Sequence, residues 1–328
     1  MRACVITRPG GPAVLEIQEC PVPQPARGEV LVRVRATALN RADLLQRLGR
    51  YPAPPGFSAD IPGLEFAGEV AALGPDASVW REGDRVFGIT GGGAHAEFLV
   101  AHERTLARIP DNLSFESAAA VPESFITAHD AMITQAGLRS GERVLVTAVA
   151  SGVGLAAVQL ARATGARSFG TTRTPAKLQA ARDAGLDAGV AIGDEPAALA
   201  GAARDWSDGL GVDVALDLVG GRYASACVEA LGRHGRLMLI GTMGGAAADL
   251  SIRTVMDRRL TIRGTVLRAR PLEEKITATQ AFARQVVPLL ADETVKPTVD
   301  STYDLDSIAA AHEQLERNST AGKIVIRL

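Results

Sequence analysis

The chain has 328 residues, enough for about two domains. Hydrophobic residues make up 47% and charged residues 22%, which excludes global disorder and permits sizeable cores. A formal net charge of −2 excludes bulk attraction to nucleic acid or an anionic membrane, and 4% aromatic content leaves few stacking surfaces for RNA.

Met1–Arg8 carries a charge at each end and prolines follow from Pro9, so no secretory leader is expected. The first third of the chain reads as β-rich. Val30, Val32 and Val34 alternate with Leu31, Arg33 and Arg35, giving one inward face and one mostly wet face. Further strands are expected over Phe66–Leu73, Arg85–Ile89 and Ala94–Val100, with glycine and proline clusters between them, so this part reads as a barrel-like or sandwich-like module. Helical stretches from Ser114 lead to Gly137, an expected helix stop.

From Arg143 the rhythm changes. Strands read at Arg143–Ala148, Arg167–Thr172, Ala188–Ile192, Val212–Leu218, Arg236–Ile240 and Arg259–Thr265. Helices read at Gly154–Thr164, Pro175–Ala184, Glu195–Ala203, Arg222–Leu231 and near Ile252–Arg258. Six strands with helical crossovers describe a doubly wound, parallel Rossmann sheet in an α/β protein. The tail reads as a long helix over Leu272–Leu290, a second over Ser307–Arg317 and a last strand at Lys323–Leu328, and is expected to fold back onto the first module. Val144 to Ala161 is uncharged and long enough to suggest a membrane span, but Ser151-Gly152-Val153-Gly154 breaks it. A buried strand, a glycine turn and a buried helix are expected instead.

That turn has the context of a dinucleotide site: a strand runs into it and a helix leaves it. Glycines admit a diphosphate close to the backbone, and the helix N-terminus supplies N–H groups and a positive dipole end. The match is imperfect, because Ala148 and Ser151 stand where the GxGxxG pattern has glycines. Ser151, Gly152, Val153 and Gly154 are the candidate diphosphate contacts. The next strand ends in Thr172-Arg173-Thr174-Pro175, where the pattern would place an acid on the ribose hydroxyls. Arg173 and Lys177 can neutralise a 2′-phosphate, with Thr172 or Thr174 adding a hydroxyl, so NADPH is expected over NADH. The bland alternative is a pair of solvated charges beside a helix that Thr174 caps and Pro175 starts. Val219-Gly220-Gly221 and Gly241-Thr242-Met243-Gly244-Gly245 end two more strands. They make Val219, Gly241 and Met243 candidates for cofactor contact, against the plain alternative of turn chemistry.

Cys4, Cys20 and Cys227 are far apart and form no CxxC pair, so neither a disulfide framework nor a cysteine-lined zinc lobe is readable; a reducing, cytoplasmic compartment is the simpler reading. His95, His102, His129, His234 and His312 are scattered.

The run Ala38-Leu39-Asn40-Arg41-Ala42-Asp43-Leu44, followed by Gln46-Arg47-Leu48-Gly49-Arg50-Tyr51, resembles the zinc-free quinone oxidoreductases of the medium-chain dehydrogenase/reductase superfamily. Pro62-Gly63-Leu64-Glu65, Ala119-Ala120-Val121-Pro122-Glu123 and Gly322-Lys323-Ile324-Val325 extend the resemblance along the chain, and its detail is similar to the p53-inducible type. The resemblance implies a GroES-like catalytic domain over 1–122, a Rossmann domain over 123–266 and a C-terminal segment, 267–328, that completes the first. It implies NADPH-dependent reduction of quinones, or of a related conjugated carbonyl, and a homodimer formed through the edge strand Arg259–Thr265. It also implies cofactor contacts at Asn40, Thr127, Ile192, Leu267 and Lys323. Ile192 stands where several relatives have a tyrosine. Zinc-containing relatives have a cysteine in the loop of Asn40–Asp43 and Gly-His-Glu at Gly63-Leu64-Glu65, so no metal is expected.

Without a metal, the developing charge on an acceptor oxygen needs a hydrogen-bond donor. Asn40 and Tyr51 are the catalytic candidates: Asn40 toward the carbonyl or the cofactor ribose, Tyr51 toward the quinone by hydrogen bond or stacking. Asn40 as a helix cap and Tyr51 as loop packing beside Pro52 are the structural alternatives. Asp43 is a candidate to orient Asn40 or Arg41, and Glu65 reads as structural. An NADPH-dependent enoyl reductase is the near rival, and a nucleotide-binding protein of low turnover the distant one.

Overall fold

In the computed structural model, residues 1–193 and 195–328 are described. They fall into two units, one of Met1–Ile126, Leu267–Glu293 and Pro297–Leu328, the other of Thr127–Val266 and Thr294–Lys296.

The first unit is built on a mostly antiparallel sheet around the long strand Glu29–Ala38. Along one edge this strand pairs with Glu65–Leu73; along the other it pairs first with Phe98–His102 and then with Lys323–Arg327. Val30, Val32 and Val34 are buried against Phe66, Trp80, Val86 and Leu99, while Arg33 and Arg35 stay exposed, as a two-residue alternation requires. Each such side chain contributes about 1.5–3 kcal/mol. A second core gathers Leu39, Leu44, Leu305, Leu315 and Ile324, so the chain's tail packs with its beginning.

Two expectations in this unit are corrected. The strand expected at Ala94–Val100 runs over Phe98–His102, and Ala96 makes only an isolated bridge to Ala3. The single helix expected over Leu272–Leu290 is two, Leu272–Gln285 and Val287–Ala291. Pro288 lacks an N–H and crowds the preceding turn, so the first helix stops before it and a new one starts around it.

The second unit is an all-parallel six-stranded sheet in the spatial order Ala188–Ala191, Arg167–Thr172, Arg143–Val146, Val212–Asp217, Leu231–Leu239 and Thr261–Gly264. The chain starts in the middle, winds outward one way, returns and winds the other way, which is the doubly wound Rossmann order. Helices Gly152–Thr164, Pro175–Asp183, Ala197–Trp206, Arg222–Ala230 and Ile252–Arg258 follow the first five strands in turn. Val144, Leu145, Val146, Val214, Ala215 and Leu216 have no exposure, because both faces of the sheet are covered. The uncharged stretch from Val144 is therefore a strand and a helix joined by a turn, and no helix among the described residues is long and apolar enough to cross a membrane. The strand expected from Arg236 begins at Leu231, with an irregular register past His234, and the last strand is shorter than expected because Arg259 caps the preceding helix in a left-handed conformation.

Candidate active site

In the second unit, the carboxyl ends of the parallel strands carry Ser151–Gly154, Thr172, Ile192, Val219 and Gly241. Ser151 caps helix Gly152–Thr164, its Oγ accepting the Gly154 N–H at 3.1 Å. This uses one of the helix's orphan donors and leaves the turn around Gly152 and Val153 partly exposed. Gly154 has a packing reason: a Cβ there would lie 2.4 Å from the Val149 carbonyl oxygen. Ala148 stands at φ 46°, a left-handed conformation that a glycine would adopt more readily. The two glycine-rich loops press on each other: a Cβ on Gly241 would meet the Leu218 carbonyl oxygen at 2.2 Å, and one on Gly221 that of Gly244 at 2.2 Å. Part of their glycine content is therefore mutual packing. Met243 is exposed at the loop's tip.

Thr172 is buried and its hydroxyl donates to the Thr174 carbonyl at 2.8 Å. Thr174 occupies the cap position of helix Pro175–Asp183, but its hydroxyl makes no capping bond, which corrects that expectation. Arg173 is exposed and Lys177 partly buried on the same segment. The Ile192 N–H donates to the Thr172 carbonyl at 3.0 Å, holding these two strand ends together. Thr127 has a buried hydroxyl with no partner among the described residues. An unpaired buried hydroxyl and a glycine-lined helix start are features that a bound dinucleotide would satisfy.

Sequence reasoning missed Asp217. Its carboxylate accepts the Val219 N–H at 3.0 Å, the Gly220 N–H at 3.0 Å and the Thr147 hydroxyl at 3.1 Å, and so shapes the turn at Gly220-Gly221. An aspartate at a strand end just before Gly-Gly is the legible signal for such an Asx turn. Burial raises its pKa, with these hydrogen bonds opposing.

The first unit holds the catalytic candidates. Asn40 starts helix Arg41–Arg47, and its backbone N–H donates to Asp43 Oδ2 at 2.7 Å. Asp43 is fully buried and also accepts the Gly63 N–H at 3.0 Å, so it orients Asn40's backbone as expected. The Asn40 amide donates to Glu65 Oε1 at 2.9 Å and to the Ala38 carbonyl at 3.3 Å, while its Oδ1 accepts from Lys323 Nζ at 2.6 Å. Its donors are thus committed inside the protein. Lys323 pairs with Glu65 Oε1 at 2.6 Å, and neither side chain is more than 6% exposed. The structure therefore joins Asn40 to Lys323 and adds Glu65.

Tyr51 is held from below. Arg268 donates to the carbonyls of Gly91 at 2.8 Å and Tyr51 at 3.1 Å and to Gln46 Oε1 at 2.5 Å, with its guanidinium 4.8 Å from the Tyr51 ring centre. One ring face is thereby occupied by a cation. Burial raises the phenol's pKa above its usual value, Arg268 opposes and Glu123 adds, so it stays a donor. Leu267, beside Arg268, is buried. Glu123 is partly buried, and its backbone N–H donates to Glu65 Oε2 at 2.8 Å. Burial foremost, then Glu65, pushes its carboxyl up to about 8, with Lys323 opposing. Lys275 is buried with Nζ 4.9 Å from the Phe57 ring centre, and burial lowers its pKa. Arg268 and Lys275 carried no local sequence signal, since their partners lie about two hundred residues away.

Among the described residues no three His, Cys, Asp or Glu side chains come together as a metal site, and an ammonium fills the space between Asn40 and Glu65. These residues do not fit a zinc ion.

Residues 26–111 match the alcohol dehydrogenase GroES-like domain, and residues 186–326 match the family described as zinc-binding dehydrogenase. A quinone oxidoreductase from Lama guanicoe is 32% identical over 100% of this chain and 98% of its own. The chain belongs to the quinone oxidoreductase family of medium-chain dehydrogenases/reductases. It is an oxidoreductase of that superfamily, with its GroES-like and Rossmann folds. Among solved structures, a mycobacterial protein in complex with NADPH superposes with a TM-score of 0.89 at 28% identity, covering 100% of both chains. The JamJ enoyl reductase superposes with 0.87 at 26% identity over 100% of this chain and 99% of that one.

Proposed function

We propose that the protein reduces quinones with NADPH and without a metal. The observation that carries this reading is the Lys323–Asn40–Glu65 network: it fills the metal-loop position with an internally neutralised set and leaves Tyr51 as the neutral donor. When bound, NADPH supplies a hydride. Tyr51 donates a hydrogen bond to the acceptor oxygen, and Asn40 acts by holding Lys323 and Glu65 in register. Ser151, Gly152, Val153 and Gly154 take the diphosphate, with Thr127, Val219, Gly241, Met243, Leu267 and Lys323 as further cofactor contacts. Arg173 and Lys177 select the 2′-phosphate, with Thr172 and Thr174 beside them, and Ile192 borders the adenosine side. The similarity to an NADPH-bound neighbour supports that cofactor. The domain division proposed is 1–122 with 267–328 for catalysis and 123–266 for the cofactor.

The edge position of strand Thr261–Gly264, with exposed Ile252, Met256 and Val266 nearby in sequence, supports a homodimer through that strand. Sedimentation then finds twice the 34.2 kDa chain mass; a 34.2 kDa species rejects it.

NADPH oxidation with para-benzoquinone or phenanthrenequinone, run beside a crotonyl thioester, tests the activity. Fast turnover of quinone alone supports the reading. Preference for the thioester moves the protein to enoyl reduction, which the similarity to JamJ enoyl reductase favours as second reading. NADPH binding without turnover of either makes it a nucleotide-binding protein.

A further inference from the structure

We propose that Lys275 forms an anion subsite for the acceptor, so that the enzyme prefers quinones carrying a carboxylate, sulfonate or phosphate substituent. The inference rests on the quinone-reductase reading and names the substrate class of the same site. Lys275 is the fourth residue of helix Leu272–Gln285, at the end whose dipole disfavours a cation. It is only 8% exposed, and its Nζ lies over the Phe57 ring, 4.9 Å from the ring centre. Its acidic chain neighbours turn away: Glu273 and Glu274 are exposed, and Glu273 pairs with Arg104. Glu123 acts on it electrostatically, from outside ion-pair distance. Among the described residues no carboxylate pairs with the ammonium and no acceptor takes its protons. Buried charges in folded proteins are paired, so this one is short of a partner.

Gly91 connects the ammonium to Tyr51. The Phe57 ring packs on Gly91 so closely that a Cβ there would lie 2.4 Å from Phe57 Cδ2. The Gly91 carbonyl accepts the Arg268 Nε–H at 2.8 Å, and the Arg268 guanidinium lies 4.8 Å from the Tyr51 ring centre. Two cations therefore rest on two aromatic rings of one unit, with the Gly91 backbone between the pairs. Their hydrogen-bonding states differ. Arg268 commits all three of its nitrogens, to Gly91, Tyr51 and Gln46. Lys275 keeps three uncommitted N–H donors. Phe57 is exposed, so this corner of the unit is open to a ligand. Burial foremost, then Arg268, lowers the Lys275 pKa, and an anion at Nζ would favour the charged form and oppose both. An acceptor whose carbonyl meets Tyr51 and whose anionic oxygens meet Lys275 satisfies the hydroxyl and the ammonium together.

The test compares wild type with Lys275→Met, which keeps an unbranched apolar stem and removes the charge, and with Lys275→Arg, which keeps the charge. The substrates are a matched pair, naphthoquinone and naphthoquinone sulfonate. The ratio of kcat/KM for the sulfonate to that for the parent quinone is expected to fall about 10-fold from wild type to Lys275→Met, through KM, as loss of a charge-assisted bond implies. Lys275→Arg retains most of the ratio. A ratio that is the same in wild type and Lys275→Met overturns the proposal and leaves Lys275 as a packed stem with a solvated head. The cofactor's phosphates are the other source of anionic oxygen. A loss of NADPH affinity in Lys275→Met as large as the loss for the sulfonate assigns the ammonium to the cofactor and also overturns the proposal. Equilibrium dialysis of naphthalenesulfonate, which cannot be reduced, reads the subsite without turnover. Wild type saturated with NADP⁺ is expected to bind it about 10-fold more tightly than Lys275→Met does, and equal binding counts against the subsite. Wild type that reduces no quinone sinks the functional reading alone, and the dialysis still decides whether Lys275 holds an anion.

Discussion

The roles proposed for Tyr51 and Arg173 each assign one term of the chemistry to one side chain. The Tyr51 ring rests on Arg268 and its hydroxyl is kept protonated by burial, so removing the oxygen removes a donor and little packing. Tyr51→Phe is expected to lower quinone turnover about 10-fold, the value of one hydrogen bond to developing charge, with NADPH affinity unchanged in a fluorescence titration. An undiminished rate removes Tyr51 from the chemistry. Arg173→Ala is expected to weaken NADPH about 10- to 100-fold and NADH hardly at all, as charge-assisted bonds to a phosphate imply. Equal loss for both cofactors ends that assignment. Both proposed roles come from the sequence, because each residue is a distinctive chemical type at a motif position. Asn40 was legible only in part. Its identity at the head of a helix was plain, but the destination of its amide depended on Glu65 and Lys323, which are 25 and 283 positions away.

At the scale of elements, the strand–turn–helix at Arg143–Thr164 shows local rules and tertiary contacts acting on the same residues. Ser151 caps the helix through its own hydroxyl, a local rule. Gly154 and Gly170 are small because Val149 presses against both: a Cβ on Gly170 would lie 2.6 Å from Val149 Cγ1. Ala148 pays for the left-handed turn with a Cβ that sits badly there, a strain of about 1–2 kcal/mol. Ala148→Gly is therefore expected to stabilise the protein by about 0.5–1 kcal/mol in urea denaturation, less than the full strain because glycine gains freedom in the unfolded chain. A loss of stability shows that the alanine methyl packs better than its backbone angle suggests. Helix and strand types along the Rossmann unit followed from periodicity. Their ends did not, as the early start of Leu231–Leu239 and the short Thr261–Gly264 show, since ends are decided by what each residue meets in the fold.

For the molecule as a whole, the C-terminal strand closes the first unit twice, by pairing with Glu29–Ala38 and by sending Lys323 into a buried ion pair with Glu65. Lys323→Met leaves the Glu65 carboxylate buried and unpaired, which costs about 3–5 kcal/mol. Equilibrium denaturation of the variant is expected to show that loss, and a change below about 1 kcal/mol would mean that water or Asn40 replaces the ammonium. By itself the sequence determined the classes of element, their order, the parallel sheet and the position of the glycine turn after its first strand, because hydrophobic period, glycine placement and capping act within a few residues. Only the tertiary structure decided that Asn40 is a held amide, that Arg268 supports Tyr51, and that Lys323 pairs with a buried Glu65. Those facts depend on the distance between groups remote in the chain, and Coulomb energy and desolvation are functions of that distance, which a linear order of residues does not contain.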